Sequence, residues 1–114
     1  MAFWVVSMTL SISAQSEYIT PLDGPGVEII KVFIHKSGAV SLYISGAVVN
    51  LDRCTATSRI YIPHDLAGKD AMLSTALMAF ASDNKIEAHG SGCSATVFWG
   101  GRTDVPIVDN LWVL

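Results

Sequence analysis

One segment of helical spacing stands in a chain that otherwise reads as strands. Between Leu66 and Asp83, the residues Leu73, Ala76, Leu77 and Phe80 recur at i, i+3, i+4 and i+7, an apolar stripe that predicts one helix packed on a sheet. Met72 widens the stripe, and Lys69, Asp70, Ser74 and Ser82 fit a wetter side. Asp65 is the predicted N-cap, because its carboxylate can accept orphan backbone N–H bonds. Asn84 is the predicted terminator, since it tolerates the left-handed conformation.

Around this helix the periodicity is two. Val27 to Ile34 is β-branched and aromatic, with Ile30, Val32 and Ile34 on one face and Val27, Ile29 and Phe33 on the other. Lys36-Ser37-Gly38 is a turn signal, and Val40, Leu42 and Ile44 then alternate with Ser41, Tyr43 and Ser45. The two runs predict a hairpin, with a bulge or bend at Gly46. Ser58 to Pro63 is a third strand with Ile60 and Ile62 inward and Arg59 and Tyr61 outward. Lys85 to His89 is a fourth, with Ile86 and Ala88 in and Glu87 and His89 out. Thr96 to Trp99 is a short extension and Gly100-Gly101-Arg102 a turn. Val105 to Leu114 is the last strand, with Ile107, Leu111 and Val113 on one face and Val108, Asn110 and Trp112 on the other. The order β-β-β-α-β-β is mainly β with one helix. It is the order of an OB-like five-stranded barrel; the alternative is an open α+β sheet with one packed helix.

Apolar residues make up 51% and charged residues 15% of the chain, so residues 27–114 are expected to pack as a single domain. Residues 15–26, with Pro21, Gly24, Pro25 and Gly26, read as a lead-in loop. Residues 1–14 carry no charge, and an apolar run gives way to Ser11, Ser13 and Ala14. This predicts a signal peptide cut after Ala14, although a basic start is missing; the alternative is a buried N-terminal strand or helix. The run is shorter than the ~20 residues needed to span a bilayer, so no stable membrane anchor is expected.

An exported chain meets oxidising conditions, in the periplasm or outside the bacterial cell. Cys54 and Cys93 are the two cysteines, so one intramolecular pairing exists. The alternatives are two buried thiols or a metal pair, and two Cys with no nearby His make a poor zinc set. A disulfide there would close a long loop, worth about 4 kcal/mol in the chain-entropy model.

The stretch from Cys54 through RIYIP, GKDAMLSTALMAFAS, NKIEAHGSG and Cys93 to the closing NLWVL resembles a group of small secreted bacterial proteins. These show a Cys, a short strand, a Gly-Lys-x-x-Met-Leu helix and a second Cys after a Gly-rich strand end. The resemblance covers roughly residues 27–114, and Gly68-Lys69-Asp70-Ala71-Met72-Leu73 with the Cys spacing are its most specific parts. The strand order also resembles the OB-fold B subunits of bacterial A–B toxins of the subtilase cytotoxin type. That similarity implies export, a binding role and a ring of identical subunits, and it carries over no binding residue.

Candidate chemistry is sparse. The seven basic residues are scattered and the formal charge is −3, which disfavours nucleic acid and a polybasic membrane patch. His35, His64 and His89 fall in no metal-ligand spacing and read as surface histidines. His64 beside Asp65 is the one acid/base pair to propose. Gly68-Lys69 lacks the rest of a phosphate loop. Ser91 and Ser94 lack the spacing of a nucleophile elbow. Asp104 and Asp109 do not by spacing define a glycosidase pair. Neither a catalytic residue, a metal nor a cofactor is therefore assigned. Tyr43, Tyr61, Trp99, Arg102 and Trp112 are expected outward or in loops, as aromatic groups among polar ones that suit a sugar ring or a protein. The first reading is an exported non-catalytic binding module for a glycan or an envelope or host protein, with a homo-oligomer open. The alternatives are a periplasmic inhibitor or structural envelope protein, and then a small hydrolase.

Overall fold

The computed structural model describes residues 17–94 and 104–114. The leader at 1–14, the extension at Thr96 to Trp99 and the turn at Gly100-Gly101-Arg102 lie outside the described residues.

The elements are β1 (Glu17–Tyr18), β2 (Glu28–Ile34), β3 (Val40–Ser45), β4 (Arg59–Ile62), α1 (Lys69–Ser82), β5 (Ile86–Gly90), β6 (Cys93–Ser94), β7 (Val105–Pro106) and β8 (Asn110–Val113). The chain is mainly β with one helix. Among the described residues the strands form three small antiparallel sheets, β1-β5-β8, β2-β3-β4 and β6-β7, and not one continuous barrel. Two isolated bridges join these sheets: Val27 pairs antiparallel with Ile86, and Tyr61 pairs parallel with Ile107.

The β2–β3 hairpin forms as the alternation predicts. The His35 N–H donates to the Ala39 carbonyl across the turn. Val40, Leu42 and Ile44 are buried, and they meet Ile60, Ile62, Val27, Ile86, Ala88 and Val108 in the main core. The bulge lies elsewhere than expected. It falls between Ile29 and Lys31 on β2, so Ile30 is looped out and 58% exposed. The face assignment of β2 changes with it: Ile29 and Val32 pack on the core while Ile30 and Ile34 do not. Gly46 instead follows β3 at φ 139°, where a Cβ would sit 2.9 Å from the Val27 side chain.

The helix exists, but it is turned relative to its apolar stripe. Ala76 and Ala79 are buried, Met72 and Leu73 are partly buried against the core, and Leu77 and Phe80 stay 43% and 46% exposed. Alanines at the contact let the helix lie close to β2 and β8, and that shape requirement outweighs the bulk of the stripe. Asp65 does not cap the helix. Residues 63–69 make two turns, with Leu66 N–H on the Pro63 carbonyl and Lys69 N–H on the Leu66 carbonyl. Gly68 is the N-cap, without a side-chain capping bond. At the other end Asp83, one residue before Asn84, takes the left-handed conformation at φ 61°.

Three further expectations change. Part of the lead-in loop is strand β1, with Tyr18 opposite His89, and buried Thr20 accepts the Ala88 N–H on its hydroxyl. The last strand is broken into β7 and β8, and Val108, between them, is fully buried. Glu87, expected outward, is 5% exposed, opposite Trp112 on β8.

No helix among the described residues is long and apolar enough to cross a membrane.

Candidate functional site

Cys54 and Cys93 form the disulfide, with their Cα atoms 5.6 Å apart. The loop that carries Cys54 is ordered by its own polar groups. The Asn50 side chain donates to the Cys54 carbonyl and accepts the Cys54 N–H, both at 2.8 Å. The Gly92 N–H donates to the Asp52 carboxylate at 2.8 Å. The Thr55 N–H donates to the Asp104 carboxylate, and this bond, followed by one from the Thr55 hydroxyl, holds Asp104 below the usual carboxylate range. Cys54, Cys93 and Asp104 lie close enough to suggest a metal cluster, but both sulfurs are consumed in the S–S bond and neither is a thiolate ligand.

Beside the disulfide is a small pocket lined by residues that include Tyr18, Asn50, Asp52, Gly90 and Pro106. Its volume of about 10 Å³ is room for about one water molecule. A sugar or a peptide side chain cannot be enclosed there, so ligand contact at this end of the molecule is a matter of surface.

Two surfaces stand out. On the outer face of β1-β5-β8, three rings meet edge to face. Tyr18 lies 4.2 Å from His89 between ring centroids at 82°, and Trp112 lies 4.8 Å from His89 at 84°. All three side chains are half-buried. The register explains the row: Tyr18 is opposite His89, and Trp112, opposite Glu87, is the diagonal neighbour. The His89 Nε2 is buried and has no hydrogen-bond partner among the described residues. On the outer face of β2-β3-β4, the half-buried Tyr43 ring carries the Lys31 Nζ 4.8 Å from its centroid and the Arg59 guanidinium carbon at 5.7 Å.

The structure thus separates the five residues expected to share a binding surface. Trp112 belongs to the ring ladder and Tyr43 to the cation-flanked row. Tyr61 is corrected to a core residue, 6% exposed, packed with Ala39 and Val105. The cause is the side chains of Phe33, Ala56, Val105 and Ile107 packed with it, brought there because the segment around Ile107 pairs along the edge of β4, with the Val108 N–H on the Tyr61 carbonyl. Trp99 and Arg102 lie outside the described residues. Tyr18 and His89 were missed as site residues. Tyr18 sat in an apparent loop, and the one available signal for His89 was its place two residues from Glu87 on an alternating strand.

Among the other candidates, His64 and Asp65 are exposed and Ser94 is buried. The His35 Nδ1 lies 2.9 Å from the Ser37 hydroxyl within the hairpin turn. The Asp109 N–H donates to the His89 carbonyl.

Comparison of the chain with protein-family models, with curated proteins and with solved structures gives no match.

Proposed function

We infer that this chain is an exported, non-catalytic binding module of OB-like architecture that holds a glycan on the outer face of β1-β5-β8. One observation carries the reading: the Tyr18–His89–Trp112 ladder. Three half-buried rings are spread across three strands on the face opposite the core and are fixed edge to face by one another. Half-buried aromatic rings fixed by one another suit the apolar faces of a sugar.

The OB-like order is supported by the two isolated bridges. They link the sheets in the cycle β2-β3-β4, then the segment at Ile107, then β8 and β5, and back to β2 through Val27. A parallel contact between the third strand and the last, with an antiparallel contact between the first and the fourth, is how a five-stranded barrel of this order would close. Export to the periplasm or the medium is supported by the Cys54–Cys93 disulfide, a bond that persists under oxidising conditions.

The test is a screen of immobilised glycans with the wild-type protein and Trp112→Ala. Retention that the substitution abolishes supports the reading. Retention of nothing, or equal retention of both proteins, removes it.

A further inference from the structure

Glu87 places a carboxylate where charge is costly. On β5 it alternates with the core residues Ile86 and Ala88 and shares the outer face of the sheet with His89, yet it is 5% exposed. Among the described residues no hydrogen bond or ion pair reaches its side chain. Neither of its carboxylate oxygens is a fully enclosed atom, so the exposure that Glu87 retains includes its charged end. A lone negative charge drawn largely out of bulk water costs free energy, and a partner of opposite sign offsets that cost. None of the described lysines or arginines lies within ion-pair distance to supply one. The neighbours of Glu87 on this face are rings instead. Trp112 is its direct cross-strand partner, which puts the two Cβ atoms about 5 Å apart on one side of the sheet. The Trp112 ring meets His89, two residues along β5, and His89 meets Tyr18. Aromatic faces attract cations through their electron-rich centres. A partly desolvated carboxylate beside such rings is complementary to a ligand cation and opposes an anion.

We propose that Glu87 is the specificity-determining residue of this face, and that the saccharide it selects carries a free ammonium group, as a 2-amino-2-deoxy sugar does. The assignment rests on the Tyr18–His89–Trp112 ladder being the glycan surface and adds the class of glycan. The apolar face of the sugar lies on the rings, and its ammonium donates to the Glu87 oxygens in a charge-assisted hydrogen bond. The order of preference follows from charge. An amino sugar brings the counter-ion that Glu87 lacks. N-acetylation removes that charge and leaves a neutral amide. A uronate brings a second negative charge to an unpaired carboxylate, in a chain whose formal charge is already −3. A hydrogen bond to a charged group supports a preference of roughly tenfold for the free amine over its N-acetyl form.

Isothermal titration calorimetry of the full, oxidised chain tests it with three β-1,4-linked oligosaccharides of equal length: glucosamine, N-acetylglucosamine and glucose. The titrations are run at about pH 6, below the range in which an α-amine loses its proton. The expected result is roughly tenfold tighter binding of the glucosamine oligomer than of the other two. That preference shrinks as sodium chloride is raised, while binding of the two neutral oligomers does not change. Glu87→Gln keeps the shape of the side chain and removes the preference; Trp112→Ala weakens binding of all three. The salt dependence is read on the wild type, so the outcome does not hang on how well the variant folds. Equal binding of the three by the wild type, or a preference that survives Glu87→Gln, overturns the assignment and leaves the ladder as a glycan surface. Binding of none of them overturns the assignment together with that surface. A lysine-containing peptide bound more tightly than the glucosamine oligomer overturns the choice of a saccharide.

Discussion

Replacing both cysteines, Cys54→Ala/Cys93→Ala, should cost the protein about 4 kcal/mol of stability. The magnitude comes from the 39-residue separation between the linked sulfurs, which sets the loop closed in the unfolded chain. The native state itself loses little. Asn50 still brackets Cys54 through backbone bonds, Asp52 still accepts the Gly92 N–H, and Asp104 still accepts the Thr55 N–H. None of these bonds uses a sulfur, so the loop geometry is specified twice and the change acts on the unfolded ensemble. Domains of this size hold roughly 5–15 kcal/mol in total, so the loss is a large share, equivalent to a fall in melting temperature of roughly 15–30 °C. Urea unfolding of the oxidised protein, the double variant and the reduced wild type reads it directly. The m-value should rise with the loss of the cross-link, because the freed unfolded chain exposes more surface. The reduced wild type should match the double variant. A difference under about 1 kcal/mol between oxidised protein and variant would refute the reasoning. It would mean that the cross-linked and free unfolded chains are equally restricted.

Gly90→Ala should destabilise by about 3 kcal/mol or more by thermal unfolding, because its Cβ would lie 1.6 Å from the Ile107 carbonyl oxygen, a backbone atom that cannot swing aside; an unchanged melting temperature would contradict that close approach. His89→Phe should stabilise by about 1 kcal/mol in urea, since it keeps a ring between Tyr18 and Trp112 and removes a buried nitrogen with no partner; a loss of stability would show that the nitrogen is satisfied. Asp104 has its folded-state pKa lowered by the Thr55 hydrogen bonds, so its contribution is complete above the ordinary carboxylate value and is lost as pH falls through the lower folded value. The stability gap between wild type and Asp104→Asn should therefore narrow as pH falls below about 5, the upper edge of the ordinary carboxylate titration; a gap that widens would reverse the sign.

What the sequence revealed depended on how local each feature was. The β2–β3 hairpin needs only its own alternation and the turn at Lys36-Ser37-Gly38, and it was legible. The disulfide was legible because two cysteines admit one pairing. Tyr61 was misread because its strand alternates correctly while its cover, the segment at Ile107, arrives 46 residues later and leaves no mark near Tyr61. The helix was placed but turned wrongly, since hydrophobic spacing records bulk and the contact with β2 and β8 selected Ala76 and Ala79 for closeness. The Lys31–Tyr43–Arg59 row was invisible for the same reason as Tyr61: residues 28 positions apart meet only through sheet register. The ladder was half legible, with Trp112 found and Tyr18 hidden in a two-residue strand that pairs with β5.

The claim that the Tyr18–His89–Trp112 face is the glycan surface is tested most directly by mapping a retained glycan on the protein by nuclear magnetic resonance. Binding there predicts saturable shifts of the Trp112 indole N–H and the His89 ring protons, with Tyr18 ring signals moving in step. Shifts confined to the opposite sheet, or a bound glycan that leaves all three rings unmoved, would contradict it.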